Sequence, residues 1–274
     1  MLNQSETSLK PHPSNTGFRW PERPTADLKA LSPAQVELYN AEGWLHMPAL
    51  LDTDALTSLR EAVDACEAGE PDSVLTMADD YVLTYKKDRM SFSRNLVTRS
   101  ETVRDAALSP QMAAIMQDLI GPAVRLYWDQ AVYKKPGEAR EFPFHQDNGY
   151  TFVEPQAYVT LWLALNDATE ENGCPWVIPG LQHKGTLAHE NQPYGLEVEG
   201  IKAHKDKVLC CPAKAGDAVI FSSLTPHATG PNTTDTVRKA LILQYIPDGA
   251  RVETGPGQSR ALDDPALNPL LPPV

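Results

Sequence analysis

Residues 124–133 read Val124-Arg125-Leu126-Tyr127-Trp128-Asp129-Gln130-Ala131-Val132-Tyr133, and this stretch decides the fold class. Val124, Leu126, Trp128, Gln130 and Val132 alternate with Arg125, Tyr127, Asp129 and Tyr133, the period of a strand with one face inward. On that parity Gln130 and Trp128 share the inner face. Further strands are expected downstream at 157–165, 207–211, 217–221 and 240–246. Turn signals separate them: Pro136-Gly137, Asn172-Gly173, Pro179-Gly180, Gly216-Asp217 and Gly230-Pro231. Upstream the texture is helical. Ser32-Pro33-Ala34-Gln35 supplies a capping hydroxyl, a proline at the first helical position and a reciprocal glutamine, and Gly43 ends that helix. A second helix is expected from about Asp54, with Leu56, Leu59, Val63 and Cys66 on one stripe and Gly69 beyond it. Residues 101–120 read as two short helices broken at Ser109-Pro110 and stopped by Gly121-Pro122. All predicted helices precede the strands, which implies a mainly β fold with flanking helices: an antiparallel double sheet covered on one side.

The expected organisation is an N-terminal arm (1–31), a single domain (32–250) and an irregular C-terminal tail (251–274). Prolines 11, 13, 21 and 24 break periodicity in the arm, where Phe18 and Trp20 are the side chains suited to docking. The chain has 274 residues, with 24 Lys+Arg against 36 Asp+Glu, a net charge of −12. That balance argues against nucleic acid and against an anionic membrane surface as partner. No apolar run approaches a membrane span, and the first 30 residues lack the apolar core of a secretory signal. The expected location is cytoplasmic. Cys66, Cys174, Cys210 and Cys211 form no disulfide framework and no C-x-x-C zinc or redox pair. They read as reduced thiols.

The chemistry lies in two segments. In Phe142-Pro143-Phe144-His145-Gln146-Asp147-Asn148, an imidazole and a carboxylate stand two residues apart. On an extended strand both project from one face, suited to neighbouring positions on one metal ion. Alone, the pair reads equally as a His–Asp hydrogen bond at a strand end. The second segment is Thr225-Pro226-His227-Ala228-Thr229-Gly230-Pro231-Asn232, with Arg238 following 11 residues after His227. A strand end, a turn and a returning strand fit that interval, so His227 and Arg238 can face one cavity. Two histidines and a carboxylate on one side of a metal leave positions open, as in non-haem Fe(II) oxygenases. A nearby arginine offers a planar fork for a carboxylate.

Together, FHQDNGY, NGCPWVIPG, GDAVIF and SLTPHATGPN followed by Arg238 resemble the phytanoyl-CoA dioxygenase family, from about Ser32 to Pro247. The resemblance implies a double-stranded β-helix (jelly roll, cupin-like) core. It also implies an Fe(II)- and 2-oxoglutarate-dependent dioxygenase that uses O2, releases succinate and CO2, and hydroxylates an unactivated C–H of a small-molecule substrate. It assigns His145, Asp147 and His227 as iron ligands and Arg238 as the clamp on the distal carboxylate of 2-oxoglutarate. Thr229 matches a hydroxyl that helps bind that carboxylate, and Trp162 a tryptophan of the same pocket. Gln130 is placed near the cosubstrate or the iron. The family's frequent PGSH turn reads Pro179-Gly180-Leu181-Gln182-His183 here, and no acyl-CoA signature is present. The resemblance also implies that keeping Asp147 favours oxygen insertion, desaturation or ring chemistry over halogenation, because the related halogenases carry a small residue there.

Other candidates carry weaker readings. His183, His189 and His204 match no zinc spacing and read as surface histidines in a polar loop, and His12 and His46 have no partner in sequence. The basic stretch Lys86-Lys87-Asp88-Arg89 through Arg94 and Arg99 reads either as a solvated loop or as a lid meeting an anionic substrate. Asn148, Tyr150, Phe152, Tyr81, Tyr85 and Trp176 are either packing or substrate-side aromatics and amides. The non-ligating nitrogens of His145 and His227 need hydrogen-bond partners, for which Asp129 and Asn232 are candidates. Two rival functions remain at this stage: a metal-dependent hydrolase or isomerase on a cupin-like barrel, and a non-catalytic ligand sensor. The sequence sets no oligomeric state.

Overall fold

The capping box at Ser32 forms as its sequence dictates: the hydroxyl accepts from the Gln35 amide, and the helix Pro33–Glu42 ends on Gly43 in the left-handed region, φ 77°. The computed structural model describes residues 8–76 and 82–274. Helices Thr53–Ala68, Glu101–Ala107 and Pro110–Leu119 follow, capped by Asp52, Ser100 and Ser109. Met112, Ile115, Met116 and Leu119 are buried as their spacing predicts. One further helical turn, Asp147–Tyr150, lies among the strands, where none is expected from the sequence.

Two antiparallel sheets form the core. The larger runs in the order Trp44–Met47, Ala218–Ser222, Val159–Ala164, Arg238–Pro247, Val124–Lys134, Met90–Arg94. The smaller runs Leu209–Cys210, Pro175–Val177, His227–Thr229, Phe142–His145. Helical side chains such as Val36, Leu59, Val63 and Met116 pack with Leu161, Leu163, Leu241 and Leu243 on the outer face of the large sheet. The inner face meets the small sheet, where Trp162, Val219, Phe221 and Ala240 pack on Cys174 and Val177. Both faces of the 159–164 strand are thus covered, and all six of its residues are buried. Among the described residues no helix is long and apolar enough to cross a membrane.

Several elements depart from the sequence reading. The parity of strand 124–134 is broken by a bulge: Gln244 opposes Trp128 but Tyr245 opposes Leu126, which leaves Tyr127 as the extra residue. A bulge re-aims the side chains beyond it. Val124 and Leu126 therefore face the helices, while Trp128, Gln130 and Val132 face the interior cavity. The expected strand 207–211 is a 3-10 helix, Ile201–Lys207, followed by only Leu209–Cys210. The tail is not wholly irregular, because Arg251–Gly255 and Gln258–Ala261 pair as a hairpin around Gly257. The basic stretch divides: residues 86–89 form a mostly exposed turn, as the solvated-loop reading expects, whereas Met90–Arg94 is the edge strand of the large sheet, paired with 130–134. In the arm, Trp20 packs against Tyr39 and His183, as its docking role requires.

Candidate active site

A cavity of about 780 Å3 opens between the two sheets. His145 closes the Phe142–His145 strand and lies directly opposite His227, the first residue of the neighbouring strand, with ring centroids 4.2 Å apart. Asp147 is not on the same strand as His145. It begins the helical turn Asp147–Tyr150, so proximity arises from a bend rather than from extended spacing. The bend is pinned by Gln146, whose buried amide donates to Gly185 O and Leu224 O and accepts from the Leu187 amide.

The donor atoms of His145, Asp147 and His227 lie within 4.8 Å of one another. His145 Nε2 and His227 Nε2 stand 3.8 and 3.5 Å from Asp147 Oδ1, too far for hydrogen bonds. Each ring donates its other nitrogen to a carbonyl two residues upstream: Nδ1 of His145 to Pro143 O at 2.8 Å, and Nδ1 of His227 to Thr225 O at 3.0 Å. Both Nε2 lone pairs are thereby turned toward the carboxylate. Burial, then the neighbouring imidazole, holds His145 down to about 3; burial holds His227 down to about 4. Burial pushes the Asp147 carboxyl up, partly opposed by His145 and by hydrogen bonds from Thr160 and Gln244. Thr160 Oγ1 donates to Asp147 Oδ2 at 2.5 Å, so Oδ1 is the oxygen left for the histidines. Two neutral imidazoles with free Nε2 lone pairs and a carboxylate converge on one point, and a divalent cation fits that donor set. Asp129 and Asn232 do not serve the histidines. Asp129 accepts from the Val97 amide, and Asn232 donates to Lys134 O and Thr236 O.

Arg238 lines the same cavity yet is 1% exposed. One Nη donates to Val132 O at 3.1 Å, while its buried Nε has no partner. Its guanidinium sits 5.4 Å from the Trp162 ring, and burial lowers it to about 10, still a cation at neutral pH. A buried cation with an idle donor and no ion-pair partner among the described residues fits an anionic ligand. Thr229 and Gln130 also line the cavity.

Sequence reasoning missed Lys134. It is 0% exposed, stands opposite Arg238 in the sheet, and donates to Thr229 Oγ1 at 3.0 Å and Gly230 O at 2.5 Å. Burial, and secondarily Arg238, depress its ammonium well below the usual lysine range. By occupying a lone pair of Thr229, it leaves the hydroxyl proton free to donate elsewhere. The parity Trp128, Gln130, Val132, Lys134 is the signal that places it inward.

His189 was also misjudged. It is not a surface histidine: its Nε2 accepts from the Gln146 amide at 3.0 Å, its Nδ1 donates to Leu187 O, and burial holds it down to about 3. Tyr85, Tyr150 and Phe152 line the cavity, whereas Asn148 is a buried structural amide bonded to Thr186 and the Val153 amide. Trp176 stacks on Phe144 instead, and Tyr81 lies outside the described residues. His12 stacks on Phe152, and His46 pairs with Asp217.

The sequence profile of the phytanoyl-CoA dioxygenase family matches residues 39–240, which spans both ligand segments and Arg238. The chain belongs to the phytanoyl-CoA dioxygenase family. It is an Fe(II)- and 2-oxoglutarate-dependent oxygenase of the family's small-molecule-modifying type, and the hydrolase and sensor alternatives are set aside. Among its relatives is the methylphosphonate hydroxylase of Gimesia maris, 27% identical over 216 residues, covering 78% of this chain and 80% of the relative. The human peroxisomal phytanoyl-CoA dioxygenase is 27% identical over 241 residues, covering 81% and 70%. The carbocyclase SnoK from nogalamycin biosynthesis shares the fold at TM-score 0.72 and 22% identity, covering 88% of this chain and 97% of SnoK. EctD from S. alaskensis does so at TM-score 0.71 and 19% identity, covering 90% and 86%. These two likenesses establish the jelly-roll fold expected from the motifs.

Proposed function

We propose that this oxygenase hydroxylates an unactivated C–H bond of a small organic molecule, with Fe(II) held by His145, Asp147 and His227. Arg238, Thr229 and Trp162 form the 2-oxoglutarate pocket. Bound there, iron with 2-oxoglutarate and O2 would supply the oxidising power, one oxygen atom of O2 going to succinate with release of CO2 and the other into the substrate C–H bond as a hydroxyl. One observation carries the reading: an open His–Asp–His donor set shares a cavity with a fully buried arginine whose Nε has no partner.

The chain's own residues do the positioning. The carbonyls of Pro143 and Thr225 fix the imidazole tautomers, and Thr160 holds one oxygen of Asp147 away from the donor gap. Trp162 lies under the guanidinium of Arg238, and Lys134 orients Thr229 toward the same anion. Phe92, Phe142 and Ile242 line the cavity with apolar surface, which limits water around the reacting C–H. Asp147 stands where the related halogenases carry a small residue, which argues against halogenation, and hydroxylation is the default outcome. The four cysteines are free thiols, which suits a reducing compartment and supports a cytoplasmic location. Relatives named for methylphosphonate and 2-aminoethylphosphonate support a small substrate.

The test is anaerobic. Fe(II) and then 2-oxoglutarate are added to metal-free protein, and the visible charge-transfer band of the chelate is recorded. The band should vanish in His227→Ala and require far more 2-oxoglutarate in Arg238→Ala. No band in folded wild-type protein refutes the reading.

A further inference from the structure

Strand parity places Met90, Phe92 and Arg94 on the cavity face of the edge strand, with Ser91 and Ser93 turned to the opposite side. Ser91 Oγ accordingly donates to Glu67, outside the cavity. The surrounding cations of the basic stretch are engaged elsewhere. Lys86 pairs with Asp72, Lys87 Nζ donates to Ala68 O, Arg89 to Gly137 O, and Arg99 pairs with Glu70. Arg94 alone turns inward, half-buried, and its guanidinium has no ion-pair or hydrogen-bond partner among the described residues.

The charges lining the cavity sort by position. On the proposed assignment, Asp147 is committed to the metal and Arg238 to the cosubstrate. Glu253 accepts from Ser14 Oγ at 2.7 Å. With a neutral hydroxyl as partner Glu253 keeps its charge, so among the described residues Arg94 is the lining cation not engaged elsewhere. It is level with Gln130 and Ile242, two strands from Arg238's strand and four residues along it. With strands ~4.8 Å apart and ~3.4 Å per residue, the backbones of the two residues are offset by roughly 10 Å across and roughly 14 Å along the sheet. Arg94 thus stands well apart from Arg238 in the sheet. Arg94 therefore faces the part of the cavity left for the substrate, beside the amide of Gln130.

From this placement we propose that the substrate is a small oxyanion, a phosphonate, phosphate or carboxylate, anchored through its charged group by Arg94. The proposal rests on the oxygenase site assignment above. An arginine fork gives a bidentate contact to such a group, and Gln130 offers a neutral donor next to it.

The probes are methylphosphonate, inorganic phosphate and acetate, with neutral dimethyl methylphosphonate as control, each titrated into the anaerobic Fe(II)–2-oxoglutarate complex. The expected result is a perturbation of the visible band by at least one anion and none by the neutral ester. In Arg94→Ala that titration should weaken roughly 10- to 100-fold, while Arg94→Lys recovers part of it and the 2-oxoglutarate midpoint stays at the wild-type value. Preference for methylphosphonate or phosphate over acetate assigns a phosphorus oxyanion, and the reverse assigns a carboxylate. Equal anion affinity in wild type and Arg94→Ala overturns the proposal, as does the absence of any anion-dependent change. If the wild-type band itself never forms, the site assignment fails. Calorimetric titration of methylphosphonate into metal-free wild type and Arg94→Ala then decides the role of Arg94 separately, by the same difference in affinity.

Discussion

Replacing Thr160 with valine removes one hydroxyl at nearly constant volume. That hydroxyl donates to Asp147 Oδ2 at 2.5 Å and accepts from Gln244 Nε2 at 3.3 Å. A hydrogen bond to an ionised carboxylate contributes about 1.5–3 kcal/mol. Burial raises the Asp147 carboxyl and the Thr160 hydrogen bond opposes that rise, so removing the bond weakens the carboxylate as a metal ligand. At about 1.4 kcal/mol per tenfold, Fe(II) affinity should fall roughly 10- to 100-fold, the range usual for partners that orient a ligand. Gln244 also hydrogen-bonds Asp147 and compensates in part. Thr160→Val alone is therefore expected near the lower end, about tenfold, and the double variant Thr160→Val/Gln244→Leu near the upper. The assay is anaerobic competition for Fe(II) against a colorimetric chelator, with Thr160→Ser as the rescue that keeps the hydroxyl. If Thr160→Val binds iron within about twofold of wild type while Asp147→Ala abolishes binding, Oδ2 is not held by this contact and the reasoning is wrong.

Arg238→Lys keeps a cation but loses the fork, so the 2-oxoglutarate midpoint should rise roughly 10- to 100-fold; an unchanged midpoint in the band titration would show that no bidentate contact is made. The metal-free protein should lose stability on acidification from pH 6.5 toward pH 4. Burial holds His145 and His189 to about 3 and His227 to about 4, below the unfolded value of 6.5, so the unfolded chain takes up protons that the folded one refuses. The raised carboxyls of Asp129 and Asp147 act in the opposite sense and offset part of the slope; a urea midpoint that does not move between pH 7 and pH 5 contradicts the sign. Gly149→Ala would drive a methyl group into the His189 ring, displacing it from the Gln146 amide. A stability loss of about 1–3 kcal/mol is expected, and a wild-type denaturation midpoint would mean that the ring yields freely.

The legible part of the site was set by residue type. Imidazoles and a carboxylate at short spacing, with an arginine one hairpin later, allow a metal and an anion, and the resemblance to the family turned that allowance into named ligands. What fixes those groups was not legible. The partners of His145 and His227 are main-chain carbonyls two residues upstream, which any sequence supplies, so searching side chains led to Asp129 and Asn232. His189 lies in a polar tract and is recruited by Gln146, 43 residues away, through a contact that no local pattern encodes. Lys134 reads as a strand-end lysine until its parity is continued from Trp128 to Val132. The same parity failed below Trp128 because one extra residue, Tyr127, resets which side faces inward. The helices were legible because their caps are local, and the C-terminal hairpin was overlooked although Gly255-Pro256-Gly257 is a turn signal.

The Met90–Arg94 strand lies at the border of its sheet, with a strand neighbour on one side only. None of its residues belongs to the donor cluster, which is carried by the opposite sheet and the turn after it. If Arg94 anchors the substrate as proposed, positions 90, 92 and 94 form a cassette through which selection, or an engineer, could redirect turnover to new compounds without rebuilding the oxidative machinery. Libraries confined to those three codons should yield altered preference far more often than loss of cosubstrate consumption.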